Sequence, residues 1–364
     1  MAFLTVGNTW DYSLLRLISS LNMEYTETKV ITDTLFGNTT INPIGNARTT
    51  NRLQDLSMEQ TQEFIEEAHK LGIRVAWTIN VSCVGNTAEF VNWIMSNKKW
   101  LRNFFSELNP DILIIANPLV MLTLTEIGID IPIEISTIAN ISEPNQIAYL
   151  ISLGCNITRV CLPVHQNRNI EFLSSMGRFG KTHGIEMEVI ANEFCFLDKC
   201  NCEGVFRRSC YDMNAHATEK GEVDNVFSFP RKLCTEARLR DPVNWLRAKW
   251  ILPQMMPQYE DLGIHHFKIT GRTHPTAFLA NILPHYYSRL FHGNLLELWP
   301  HIQTIGKKNF QETQKETISN APFINTKGLD WFTQHILSKC KNDCSSCSFC
   351  QIAYAKLRKE GYVS

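Results

Sequence analysis

The stretch IPIEISTIANISEPNQIAYLISLGCNITRVCLP, residues 131–163, decides the fold. It opens with an Ile-rich apolar run at 132–140. A pattern of helical spacing follows at 142–154 and stops at Gly154. A second apolar run, ITRVCLP, fills 157–163. A strand, a helix and a second strand in close succession make a βαβ unit, which places the two strands parallel in one sheet. Both runs are nearly continuous in apolar character, as strands covered on both faces must be.

Working outward, the same alternation repeats. Further strands are expected at 3–8, 28–36, 72–81, 111–117, 185–195 and 264–272, each rich in Val, Ile or Thr. Between them lie helical patterns at 57–72, with Ser57 as N-cap and Gly72 as stop, at 87–109 and at 167–184. Eight strands with interleaved helices predict an α/β fold, a TIM-like (β/α)8 barrel. The competing expectation is an open doubly wound sheet. The barrel is expected over 1–300, with a cysteine-rich insert at 196–240 after the seventh strand. A C-terminal extension, 301–364, carries a second cysteine-rich segment.

Composition fits a packed globular core. Of 364 residues 44% are hydrophobic and 20% charged, and 35 Lys+Arg face 36 Asp+Glu. That balance argues against a general nucleic-acid or membrane surface. The start MAFLTVGNTWDYSLL reads as a first strand rather than a leader, and no apolar run reaches transmembrane length. A cytoplasmic protein is expected.

Such a protein keeps its thiols reduced, yet this chain has 12 cysteines. Cys83, Cys155 and Cys161 are scattered along apolar segments and read as small buried hydrophobes. The other nine cluster. Cys195, Cys200, Cys202, Cys210 and Cys234 begin at the C-terminal end of the seventh strand, the edge where barrels place their function. Their spacing fits poorly with paired zinc knuckles. A [4Fe–4S] cluster tolerates varied spacing and needs four thiolates, so one of the five is spare. Zinc and unliganded thiols stay open as alternatives. Cys340, Cys344, Cys347 and Cys350 read C-x3-C-x2-C-x2-C, a metal-ligating density that spacing alone does not divide between zinc and [4Fe–4S].

The same barrel edge carries Glu193, Lys268 and Arg272. A Lys–Arg pair at a barrel mouth suits a small anionic ligand, since Arg clamps carboxylates bidentately. The alternative is a salt bridge from Lys268 to an acid such as Glu188 or Glu193. His165, His265 and His266 read as structural histidines. No G-x-S-x-G, H-E-x-x-H or phosphate-binding glycine loop is present.

Several segments together resemble the collagenase-like peptidase family U32. They are EVIANEFC (188–195) with the cysteines after it, WILPQMMPQYEDLGIHHFKITGR (250–272) with its Lys-Ile-x-Gly-Arg ending, and the 131–163 unit. The terminal CSSCSFCQIAYAK (344–356) is similar to the cysteine tail of one branch. The resemblance implies a barrel with a cysteine-ligated [4Fe–4S] cluster. It also implies, despite the peptidase label, oxygen-independent hydroxylation of RNA or a quinone-type ring, with prephenate as oxygen source. Other members are collagenase-like peptidases. Carried over, Cys195, Cys202, Cys210 and Cys234 are the cluster ligands, with Cys200 as the alternative to Cys202. Lys268 and Arg272 face the ligand. The tail cysteines hold a second cluster or zinc. RNA, a peptide or a partner subunit are the macromolecules to expect.

Overall fold

The computed structural model describes residues 1–45, 53–195, 237–238, 240–299, 321–344 and 346–364. Eight parallel strands close into a barrel in chain order. They are β1 (Ala2–Gly7), β2 (Val30–Gly37), β3 (Arg74–Ile79), β4 (Ile112–Ile115), β5 (Ile133–Ile135), β6 (Ile157–Cys161), β7 (Glu186–Ile190) and β8 (His266–Ile269). Each lies within a run expected to form a strand, or one residue beyond it. β8 pairs with both β7 and β1, which closes the sheet and excludes the open alternative.

The expected helices are present as α2 (Met58–Lys70), α3 (Thr87–Ser96), α4 (Lys98–Leu108), α6 (Pro144–Ser152) and α7 (Ile170–His183). The 57–72 pattern has the anticipated start, a capping box in which Ser57 and Gln60 satisfy each other's backbone N–H. The 87–109 pattern is broken in two at Asn97. Its side-chain amide donates to the Trp93 carbonyl at 2.8 Å and its backbone leaves the helical region. Asn competes with the helix in this way by offering the backbone a local partner. Two helices go beyond the expectation, α1 (Tyr12–Glu24) and α5 (Pro118–Glu126). The second is apolar almost all round, so no amphipathic period marks it.

After β7 the chain continues through the short helices α8 (Asn244–Arg247) and α9 (Met256–Asp261), then after β8 through α10 (Thr276–Ser288), α11 (Asp330–Ser338) and α12 (Phe349–Lys359). The last two pack onto the barrel. Phe332, Ile336, Ala353 and Leu357 belong to the same buried cluster as the outward faces of the strands. No helix among the described residues is long and apolar enough to cross a membrane.

Strand side chains alternate between two environments. Leu35, Val75, Leu113 and Val189 lie in the large cluster between sheet and helices. Phe36, Ala76, Ile112 and Ile114 form a separate cluster inside the barrel. The wall opposite, from β5 to β8, is ionic.

Candidate functional site

That ionic wall is built from charged residues set into otherwise apolar strands. Glu134 of β5 sits between Ile133 and Ile135, Arg159 is the middle residue of β6, Glu188 of β7 lies between Met187 and Val189, and Lys268 of β8 lies between Phe267 and Ile269. Glu134, Arg159 and Glu188 are fully buried, and Lys268 is nearly so. Burying a charge is costly unless it is paired. Here the Lys268 ammonium donates to both Glu134 and Glu188. The Arg159 guanidinium lies 3.9 Å from Glu134 and 3.8 Å from Glu188. It also pairs with Glu186 at 2.6 Å and donates to Thr5 at 3.2 Å. Arg74 pairs with Asp33 at the rim.

The carboxylates Asp33, Glu134, Glu186 and Glu188 exceed the cations Arg74, Arg159 and Lys268 by one charge. A proton on one carboxyl makes the set neutral, and the environments choose Glu134. Burial, then repulsion from Glu188, pushes its carboxyl above the usual range. Burial also acts upward on Glu188, but Lys268 and Arg159 outweigh it and hold that carboxyl low. His266 is kept neutral, its pKa driven down to about 2 by burial and by Arg159.

Ligand atoms of Glu134, Cys161 and Glu188 lie within 4.8 Å of one another, a spacing that suits a metal ion. Lys268 already places its cation on both carboxylates. The Cys161 thiol is held well above its ordinary pKa, mainly by burial. The set is therefore a charge-matched internal site whose cation is an ammonium.

The mouth lies above this layer. Arg272 donates to the Thr78 hydroxyl at 2.6 Å, and its guanidinium stands 6.0 Å from the Phe36 ring centre. Gly7 lets the β8 loop come this close, because a Cβ there would lie 2.6 Å from the Arg272 nitrogen. Gly271, at φ +155°, makes the turn, and a Cβ on it would meet Leu279 at 2.9 Å. Glu193 folds back to accept the Phe194 N–H at 3.0 Å. Of the two readings of Lys268, the ion pair with Glu188 is present.

Cys195 is half-buried and packs against Cys161, Val164 and Ile190, at the upper edge of the ionic wall. Phe194 anchors it. That ring is fully buried beside Trp245 and Trp299, and its carbonyl accepts from Arg238 at 2.6 Å. Cys200, Cys202, Cys210 and Cys234 lie outside the described residues, as do almost all of the 196–240 insert and the polar segment 303–320.

The tail cysteines come to the same side of the barrel. Asn342 donates to the His165 carbonyl at 2.6 Å, docking the segment on the β6–α7 loop. Phe349 stacks on His335 and Phe332. The Lys249 ammonium lies 3.8 Å from the Cys344 sulfur, and its backbone N–H donates to the Cys195 carbonyl at 3.1 Å. Cys340, Cys344 and Cys350 are all near enough to act on that ammonium, while Cys347 is exposed. None of the described cysteines is in a disulfide.

Sequence reasoning named Glu188 only as a salt-bridge partner, took Cys161 for a plain hydrophobe and missed Glu134, Arg159, Arg168 and Lys249. For Glu134 and Arg159 the available signal was a charged residue in the middle of a short apolar strand; Arg168 and Lys249 lie outside the strands and carry no such signal.

Residues 42–203 match the model of peptidase family U32. That segment contains the strands bearing Glu134, Arg159, Cys161 and Glu188, and it contains Cys195. An uncharacterized protease of Methanocaldococcus jannaschii is 21% identical over 332 residues, covering 88% of this chain and 87% of its own. A solved structure of a U32 peptidase is 15% identical, covers 74% of this chain and 92% of its own, and superposes with a TM-score of 0.49. The family match lies within residues 42–203 and the relative aligns over nearly the whole chain, so the chain is similar to peptidase family U32.

Proposed function

We propose that this protein binds a [4Fe–4S] cluster through Cys195, Cys202, Cys210 and Cys234, with Cys200 as the alternative to Cys202. In this reading it performs, alone or with a partner subunit, an oxygen-independent hydroxylation or related redox modification. The acceptor is RNA, a quinone-type small molecule or a peptide, and prephenate is the candidate oxygen donor. One observation carries the reading. Cys195 stands half-buried where the ionic wall meets the barrel mouth, with an apolar flank of Val164 and Ile190 and no disulfide. A reduced thiol in such a setting suits a soft metal centre.

A cluster held there supplies electrons or an open iron site. The chain's own residues supply the rest. Arg272, beside Phe36 and Thr78, binds a carboxylate of the oxygen donor. Glu134 holds a proton within the barrel, and Lys268 and Arg159 keep Glu188 ionised beside it. The apolar wall of Phe36, Ile112 and Ile114 keeps water from that proton.

A peptidase is the second reading, since the Methanocaldococcus relative bears a protease name. It needs an activated nucleophile. Cys161, the thiol beside acid–base groups, is buried and strongly held in its neutral form. A cluster-bearing subunit without activity of its own is the third reading.

Anaerobic purification followed by iron and acid-labile sulfide analysis and EPR tests the proposal. The expected result is about four irons and four sulfides per cluster. A colourless, iron-free protein overturns it. Proteolysis that persists after cluster removal supports the peptidase, and modification that appears only with a partner supports the subunit.

A further inference from the structure

Helix α3 carries Phe90, Val91, Trp93, Ile94 and Met95, yet Ile94 is its one buried residue. Trp93 is 37% exposed, Met95 41%, and Trp100 at the start of α4 is 49% exposed. Large apolar side chains left together in water mark an interaction surface. This surface has relief. Trp93 and Trp100 meet edge to face with ring centres 6.5 Å apart, and Phe104 backs Trp100 at 5.9 Å, so Trp100 is a supported projection. Beside it opens a cavity of about 300 Å³, lined by Ile44, Val84, Asn86, Glu89, Phe90 and Trp93 among others. Charge is divided between the two features. Glu89 is the charged residue of the cavity lining among the described residues, and it accepts from the Asn86 amide at 3.1 Å. Lys98 and Lys99, both exposed, stand directly before Trp100.

We infer that the α3–α4 face is the twofold interface of a homodimer. Trp100 of each copy enters the cavity of the other, and Lys98 and Lys99 meet Glu89 across the contact. A projection and a cavity on one surface, bearing opposite charges, complement each other. A twofold axis between them makes the same contact twice, which is the self-complementarity of an isologous dimer. A tryptophan seated in a pocket is the usual anchor of such a contact. An anionic partner, such as a single-stranded RNA or an acidic lipid surface, would use Lys98, Lys99 and Trp100 but would meet the Glu89 carboxylate at the cavity. A second copy uses both signs. The edge-to-face contact of Trp93 and Trp100 also occupies a ring face that a stacked base would need. The inference goes beyond the proposed function and does not depend on it, because neither the insert cysteines nor Arg272 belongs to this face.

The test is sedimentation equilibrium of the full chain over a concentration series. The parent is expected to dimerise. Trp100→Ala should weaken the dimer by about 100-fold or more, since an anchor is lost from both halves of the contact. Glu89→Lys in one chain, and Lys98→Glu with Lys99→Glu in another, should each weaken it by about 10-fold, because exposed attractions on both sides of the axis become repulsions. An equimolar mixture of these two charge-reversed chains should regain the parent's affinity, since every contact across the axis then pairs opposite signs again. All four positions are exposed, so the far-ultraviolet circular dichroism of each variant should match the parent. A monomeric parent, a dimer indifferent to Trp100→Ala, or charge-reversed chains that fail to pair on mixing each overturns the inference. Binding of a poly(U) oligonucleotide, or of vesicles of phosphatidylcholine and phosphatidylserine, to a monomeric parent and its loss in Trp100→Ala overturns it too, and assigns the face to that partner.

Discussion

Replacing Lys268 with Met tests the ionic wall most directly. The ammonium is the direct hydrogen-bond partner of both Glu134 and Glu188. Met keeps the stem and removes the charge. Arg159 is then the nearest described cation, at 3.9 and 3.8 Å from the two carboxylates, too far for a hydrogen bond. Removing one partner of a buried ion pair costs about 3–5 kcal/mol. With an unfolding entropy of about 2.1 cal/mol/K per residue, a chain of 364 residues would melt roughly 4–7 °C lower. The loss should be largest above neutral pH, where both carboxyls must ionise, and should shrink towards pH 5 as one takes up a proton. Glu134→Gln in the same chain should restore most of the loss, because a neutral amide no longer needs the ammonium. Thermal and urea unfolding of the four chains of this double-mutant cycle give the coupling directly. A Lys268→Met protein as stable as the parent, or a double variant no better than the single, would refute the charge-matched wall.

Other outcomes follow from the same geometry. Folding raises the Glu134 carboxyl to about 7, so its neutral form is favoured in the native state. That contribution is full below the ordinary carboxylate range and is lost as pH rises through about 7. Glu134→Gln should flatten the fall in stability over that window, as read by urea unfolding at successive pH values. Glu188 runs the other way, contributing above the ordinary range and losing its contribution as acid approaches its lowered pKa. Arg272→Ala should weaken binding of prephenate by about 10–100-fold, the equivalent of a charge-assisted hydrogen bond, with little change in melting temperature. Calorimetry with that probe checks it, and unchanged affinity removes Arg272 from the site. Gly7→Ala should cost about 1–3 kcal/mol by overpacking, since the new methyl would lie 2.6 Å from the Arg272 nitrogen. Cys195→Ser should lower bound iron and sulfide while leaving the far-ultraviolet circular dichroism of the barrel intact.

The sequence by itself determined the barrel. Strand and helix periods are local properties, and the unit at 131–163 carries both within one short stretch. The strands expected there, and the six around them, are all present. The clustering of cysteines was equally legible, because spacing is local too. What it lacked was parity and closure. Nothing along the chain says that Glu134 and Lys268, 134 positions apart, share a hydrogen bond, or that Lys249 touches a cysteine 95 positions later. Only the closed sheet decides which face of each strand turns inward, and so which charges must neutralise one another there. Only the docking of the tail on the β6–α7 loop brings the second cysteine group towards Lys249 and Cys195. These contacts depend on long-range packing, where a buried charge is tolerated only because its partner arrives from another strand.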